Sequence, residues 1–326
     1  MKREDFVYLY NQIWNISFHV VWPIFVGVGL VGNVVAFCVW VFGPKSKSMC
    51  CAIYFAANSA VDFLYLIHAV IWSDIWFKII PATDFTCKLF VSFAGSCLQL
   101  STCISAIITV ERSLTILFPL FVRTQGMRKR SKIVLLVITV LQPCIQFIKW
   151  FYKESTGDTC VYSSETIYNL NVVFYTIIVF FIPFTVILTL NLASVAMLIR
   201  QRFRRPAGTG GRNHVNVFTK LTLLTGVSFA VANTPYTVLS IDELLGIGIS
   251  KQTKVLLINP TNLMLYFNSV MNPIICFIVC KSARDDIKCF IMDVARQARR
   301  CCMCGCFQGD ISTSNVNPDT PAIEHI

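Results

Sequence analysis

Seven stretches of about 20 predominantly apolar residues, the length a helix needs to cross the hydrocarbon core of a bilayer, run along this 326-residue chain. They begin near Phe18, Met49, Phe85, Ile133, Ile167, Val217 and Val255. Lipid offers the backbone no hydrogen bonds, so apolar stretches this long are expected as helices that satisfy their own. With 55% hydrophobic and only 14% charged residues, the chain is too apolar for an ordinary soluble domain. The expected fold is an all-α membrane protein, a bundle of seven transmembrane helices. The opening "MKREDFVYLY" has no apolar signal-peptide core, so the first span is expected to act as the insertion signal.

Where the positive charge of this +11 chain lies decides the orientation. Lys45 and Lys47 follow span 1, Arg123 to Lys132 hold five basic residues after span 3, Arg200 to Arg212 five after span 5, and Lys281, Arg284 and Lys288 follow span 7. The alternate loops are mixed in sign, so the basic ones are cytoplasmic. The expected division is an extracellular segment at 1–17, the bundle at 18–279, an amphipathic eighth helix on the inner leaflet at 280–293 and a Cys-rich cytoplasmic tail at 294–326. The basic loops are short and membrane-bound, which points to topology and to lipid as a partner, not to nucleic acid.

Of 15 cysteines, only Cys87, at the outer end of span 3, and Cys160, in the loop after span 4, fall on the extracellular side. Two lone external cysteines in an oxidising compartment are expected to pair, a closure worth roughly 2 to 4 kcal/mol. Cys289, Cys301 and Cys302, with Cys304 and Cys306, lie beside basic residues of the tail and suggest palmitoylation. The rival, a zinc site, lacks the paired two-residue spacing.

Two ionisable features interrupt the apolar runs. Asp62 lies well inside span 2, where a lone carboxylate must neutralise, find donors or bind a cation. Glu111 and Arg112 lie together between two apolar runs. A charge at the bilayer centre costs on the order of 2.5 to 3.5 kcal/mol, so the pair marks either a functional site or the helix end in the headgroup zone.

Together with "GNVVAF" (Asn33), "NSAVDFLYL" (Asp62), "FFIPF" (Pro183), "SFAVANTPY" (Phe229, Pro235) and "NSVMNPIICF" (Asn268, Asn272, Pro273), this pattern resembles the rhodopsin-like (class A) G-protein-coupled receptors from about Phe18 to Phe290. The 25 residues from Cys87 to Arg112 match the family's spacing in span 3. The resemblance implies a multi-pass plasma-membrane receptor that binds an extracellular ligand and activates a heterotrimeric G protein. It implies that Glu111 holds Arg112 at rest and that activation frees Arg112 to face the G protein. It also implies a sodium site of Asn33, Asp62, Ser101, Asn268 and Asn272, the one structural ion expected, with a hydrogen-bonded, protonated Asp62 as the alternative. Thr102, Pro183, Phe229, Pro235 and Pro273 take the positions of the activation core.

Several family residues are replaced. Ser113, Asn191 and Cys276 stand where the family has tyrosines, and Asn233 stands at its span 6 tryptophan. These losses keep open a decoy that binds ligand without signalling, and a divergent chemosensory or lipid receptor. Ala94 stands at the amine-binding aspartate and Tyr266 at the opsin lysine, which argues against those ligand classes. His68, Gln99, Gln142, Gln146, Asn233, Tyr236, Asn262 and Tyr266 are the candidate ligand-binding set; they are uncharged and suit a short, uncharged or amidated peptide end. The alternative is that several of them only join helices. Neither a metalloprotease or serine-hydrolase motif nor a transporter's internal repeat is present, so no enzyme is expected.

Overall fold

The computed structural model describes residues 3–47, 51–72, 83–117, 127–147, 153–155, 160–162, 164–204, 212–293 and 296. Its helices are α1 (Arg3–Asn15), α2 (Trp22–Phe42), α3 (Ala52–Trp72), α4 (Asp84–Leu117), α5 (Met127–Phe147), α6 (Glu165–Phe174), α7 (Ile182–Arg204), α8 (Arg212–Leu245) and α9 (Lys251–Val279). A further helix, α10, covers 281–293. The spans are α2, α3, α4, α5, α6 with α7, α8 and α9, in order. By length and apolarity alone, five stretches qualify as membrane-crossing among the described residues. The fourth and sixth are long enough as helices but more polar, α5 because it opens with "MRKRSK" and α8 through its Thr, Ser and Asn residues.

Two short π-helical segments, Ile16–Val21 and Tyr175–Phe181, each end just before a proline, Pro23 and Pro183. Proline has no N–H and its ring crowds the carbonyl four residues back, and a wider turn relieves both demands. Within the expected amino-terminal segment, α1 runs through the first π segment into α2. Its side meets α9.

The spans close into a ring, α2 against α3 and α9, α8 between α7 and α9, with α4 central against α3, α5, α7 and α8. Close approach needs small residues. A Cβ on Gly29 would come within 2.6 Å of Leu66 and 3.0 Å of Val270, so this position lets the first span press against the second and seventh. Polarity is inverted relative to a soluble protein. Asn33, Asp62, Gln99, Ser101, Asn233 and Asn268 are buried, whereas Val31, Leu136 and Leu192 are exposed on the outer faces, where lipid covers them.

On the extracellular side, β1 (Lys153–Ser155) and β2 (Cys160–Tyr162) form an antiparallel hairpin with Ser155 opposite Cys160, and β1 lies against α4. Cys87, near the outer end of α4, is disulfide-bonded. The side chain of Cys160, its expected partner, lies outside the described ones.

Candidate functional site

An extracellular-side cavity of about 400 Å³ opens among α3, α4, α5, α6, α8 and α9, within the size range of small-ligand sites. Five tyrosines line it: Tyr65, Tyr168, Tyr175, Tyr236 and Tyr266. Tyr65 and Tyr266 stack at 5.0 Å, and Tyr175 meets Tyr236 edge-on at 5.2 Å. His68, Asn171, Gln146, Ser240 and Asn262 supply polar atoms, and among the described lining residues none is Asp, Glu, Lys or Arg. A second lobe of about 230 Å³ shares Tyr65, Asn262, Leu265 and Tyr266 and reaches Phe18 and Trp22 of the first span.

The cavity sorts the sequence-predicted ligand residues. His68, Gln146, Tyr236, Asn262 and Tyr266 line it. Gln99, Gln142 and Asn233 do not, because each is taken up by a neighbouring helix or its own. Gln99 accepts a 2.6 Å hydrogen bond from Gln146, Gln142 donates to the Cys103 sulfur at 3.3 Å, and Asn233 donates to the Phe229 carbonyl at 2.9 Å. Gln99 and Gln142 thus join neighbouring helices, while Asn233 bonds its own. Tyr65, Tyr175 and Ser240 were missed, although Tyr65 lies one helical turn from His68 and Ser240 one turn from Tyr236. Gln146 Oε1 stays buried without a hydrogen-bond donor.

Below the cavity, four side chains donate to the Asp62 carboxylate. Ser101 (2.7 Å) and Ser269 (2.9 Å) reach Oδ1, and Asn58 (2.9 Å) and Asn272 (2.7 Å) reach Oδ2. Of the expected sodium set, Ser101 and Asn272 donate to Asp62. Asn58 and Ser269 join Asp62, Ser101 and Asn272, while none of the Asp62 hydrogen bonds comes from Asn33 or Asn268. Asn33 instead donates to the Gly29 and Ser269 carbonyls, which braces Ser269, and its Oδ1 is buried without a donor. Asn58 was legible as the residue one turn before Asp62. The Oδ1 side gathers three oxygens, those of Asp62, Ser101 and Ser269, a donor set that suits a hard cation.

Lower still, Phe229 packs with Phe180, Phe184 and Ile187, which flank Pro183, and with Ala106. Thr102 turns its hydroxyl to the Leu98 carbonyl of its own helix at 2.9 Å. Pro235 and Pro273 lie inside α8 and α9.

At the inner end lie Glu111 and Arg112, the expected latch. Adjacent helical residues do not face each other, and Glu111 instead pairs with Arg130 at the start of α5, whose Nη2 lies 2.9 Å from each carboxylate oxygen. Arg112, the next residue, lies within electrostatic range of Cys280 at the end of α9. The replaced tyrosines leave short polar links. Ser113 bonds Ser194 (3.0 Å) and the Leu190 carbonyl (3.3 Å), tying α4 to α7, and Asn191 donates to the Thr222 carbonyl (3.3 Å), tying α7 to α8. Cys276 is buried in the cluster that holds Trp40 and Cys280.

In α10, Ala283 and Ile287 face that cluster, while Cys289, Phe290 and Ile291 are exposed. Cys301 and Cys302 lie outside the described residues.

The family described as 7 transmembrane receptor (rhodopsin family) matches over residues 32–276. N-formyl peptide receptor 3 of Macaca mulatta is 26% identical over 281 residues, 75% of this chain and 74% of that receptor. Mas-related G-protein coupled receptor member X2 of Pan troglodytes is 24% identical over 262 residues, covering 77% and 73%. The same receptor of Hoolock hoolock is 25% identical over a stretch spanning 37% of each chain.

Proposed function

Because the chain belongs to the rhodopsin family of seven-transmembrane receptors, we propose that this plasma-membrane G-protein-coupled receptor takes a short peptide whose inserted end is uncharged, with a carboxamide as the best fit. The cavity carries this reading. An ammonium or carboxylate entering a lining without an opposite charge would lose its hydration uncompensated. Tyrosine faces accept side chains, and the Gln146 side chain that lines the cavity supplies an amide to match a ligand amide. The name of one relative, a formyl peptide receptor, supports a peptide ligand. The three oxygens around Asp62 Oδ1 would hold a sodium ion at rest. The exposure of Cys289 beside Phe290 and Ile291 supports acylation into the inner leaflet.

The test is a screen of amidated short peptides, their free acids, lipids and odorants on expressing cells, read by G protein dissociation. An amidated peptide should activate, its free acid about tenfold less, a difference of about 1.4 kcal/mol. Gln146→Leu should erase most of that preference. Response to lipids or odorants alone would falsify the peptide reading.

One observation favours a second reading, a receptor that binds without signalling. The Ser113 and Asn191 links close the inner end where the family has tyrosines that hold it open. Saturable peptide binding with no dissociation of any G protein class would establish it.

A further inference from the structure

We propose that Arg130, at the cytoplasmic start of α5, is the positioning residue that restrains the G-protein face of this receptor, by holding Glu111 across the gap between the third and fourth spans. The ion pair is built and sheltered. A single guanidinium nitrogen serves both carboxylate oxygens at 2.9 Å, and the Glu111 side chain is 7% exposed against 28% for Arg130. Fully buried Tyr54 of α3 lies alongside Glu111, Arg130 and Ser131, so three spans converge on the contact. Leaving so enclosed a carboxylate without its cationic partner would be costly.

The neighbouring residue faces elsewhere. Arg112 lies within electrostatic range of Cys280 at the junction of α9 with α10, whereas Glu111 is engaged by α5. Any turn of α4 that brings Arg112 to the cytoplasmic opening carries Glu111 away from Arg130. The cost of breaking that pair then sets how often the inner face opens without ligand. Arginine suits the part because its guanidinium stays charged at every accessible pH and spreads its donors in a plane.

The experiment measures nucleotide exchange by each class of Gα subunit on the full-length receptor in membranes, without ligand. Arg130→Gln should raise basal exchange about tenfold or more, the population change expected from losing a charge-assisted hydrogen bond. Glu111→Gln should do the same, and the double variant no more than either alone, since both remove one contact. Arg130→Lys, which keeps the charge, should restore most of the restraint. If Glu111→Gln raises exchange and Arg130→Gln does not, the restraint runs through Arg112 and the proposal is overturned while G protein coupling stands. If Arg130→Gln only lowers thermal stability, the pair is structural and the proposal is overturned. If neither variant raises exchange with any Gα class, the pair restrains nothing and the proposal is overturned with it.

Discussion

Asp62 is held in a membrane helix by compensation rather than by isolation: two hydroxyls and two amides point at it from α3, α4 and α9. Each donor therefore matters. Asn58→Ala should destabilise the bundle by about 1.5 to 3 kcal/mol, the range for a hydrogen bond to a charged group, and a lower melting temperature in detergent checks it. The hydroxyl side carries the oxygens that would face the proposed cation. Asp62→Asn should remove any sodium dependence of agonist affinity, measured by competition binding in sodium against choline buffer; unaltered dependence in the variant would refute sodium coordination by this carboxylate. Presence of a cluster was legible in the sequence from Asp62 alone, because a buried carboxylate demands donors. Its membership was not. Whether Asn268 or Ser269 reaches Asp62 depends on the rotation of α9, which one residue of offset changes by 100°.

Among elements, α10 shows how a short amphipathic helix is fastened. Asp286, on its buried face, accepts from the backbone N–H groups of Ser46 (2.8 Å) and Lys45 (3.3 Å) in the first inner loop. Gly43 makes room, since a Cβ there would lie 2.5 Å from Asp286 Oδ2. Asp286→Ala should release the helix at a cost of about 1.5 to 3 kcal/mol, seen as faster amide exchange over 281–293 with the seven spans unchanged. Lys45 beside Asp285 holds that carboxyl below the ordinary range, so its share of the clasp is complete above that range and is lost only as pH falls through the lowered value. Apolar spacing foretold this helix, but the clasp joins residues 240 apart in sequence, and no local pattern announces it. The same limit explains Arg130, legible as a basic loop residue and visible as the ion-pair partner of Glu111 only once α4 and α5 are side by side.

At the scale of the whole molecule, the ligand cavity and the inner ion pair sit on one continuous helix. Leu98 of α4 lines the cavity and Glu111 lies 13 residues further, about 20 Å along the axis. If an agonist stabilises the state in which Glu111 has left Arg130, linkage requires the reverse: removing the pair must strengthen agonist binding. The size follows from populations, because an agonist that needs the active state binds in proportion to how often that state is present. A basal exchange rate raised tenfold from a small starting fraction should thus come with agonist affinity raised by up to about tenfold in Glu111→Gln and Arg130→Gln, although neither residue touches the cavity. Competition binding on membranes stripped of G protein measures this without any signalling step. Raised exchange with unchanged affinity would show that the two ends of α4 move independently, and that the Ser113 and Asn191 links have disconnected the inner face from the ligand. Raised affinity without exchange would show the opposite fault, a bundle that still transmits the change to an inner face that no longer engages a G protein.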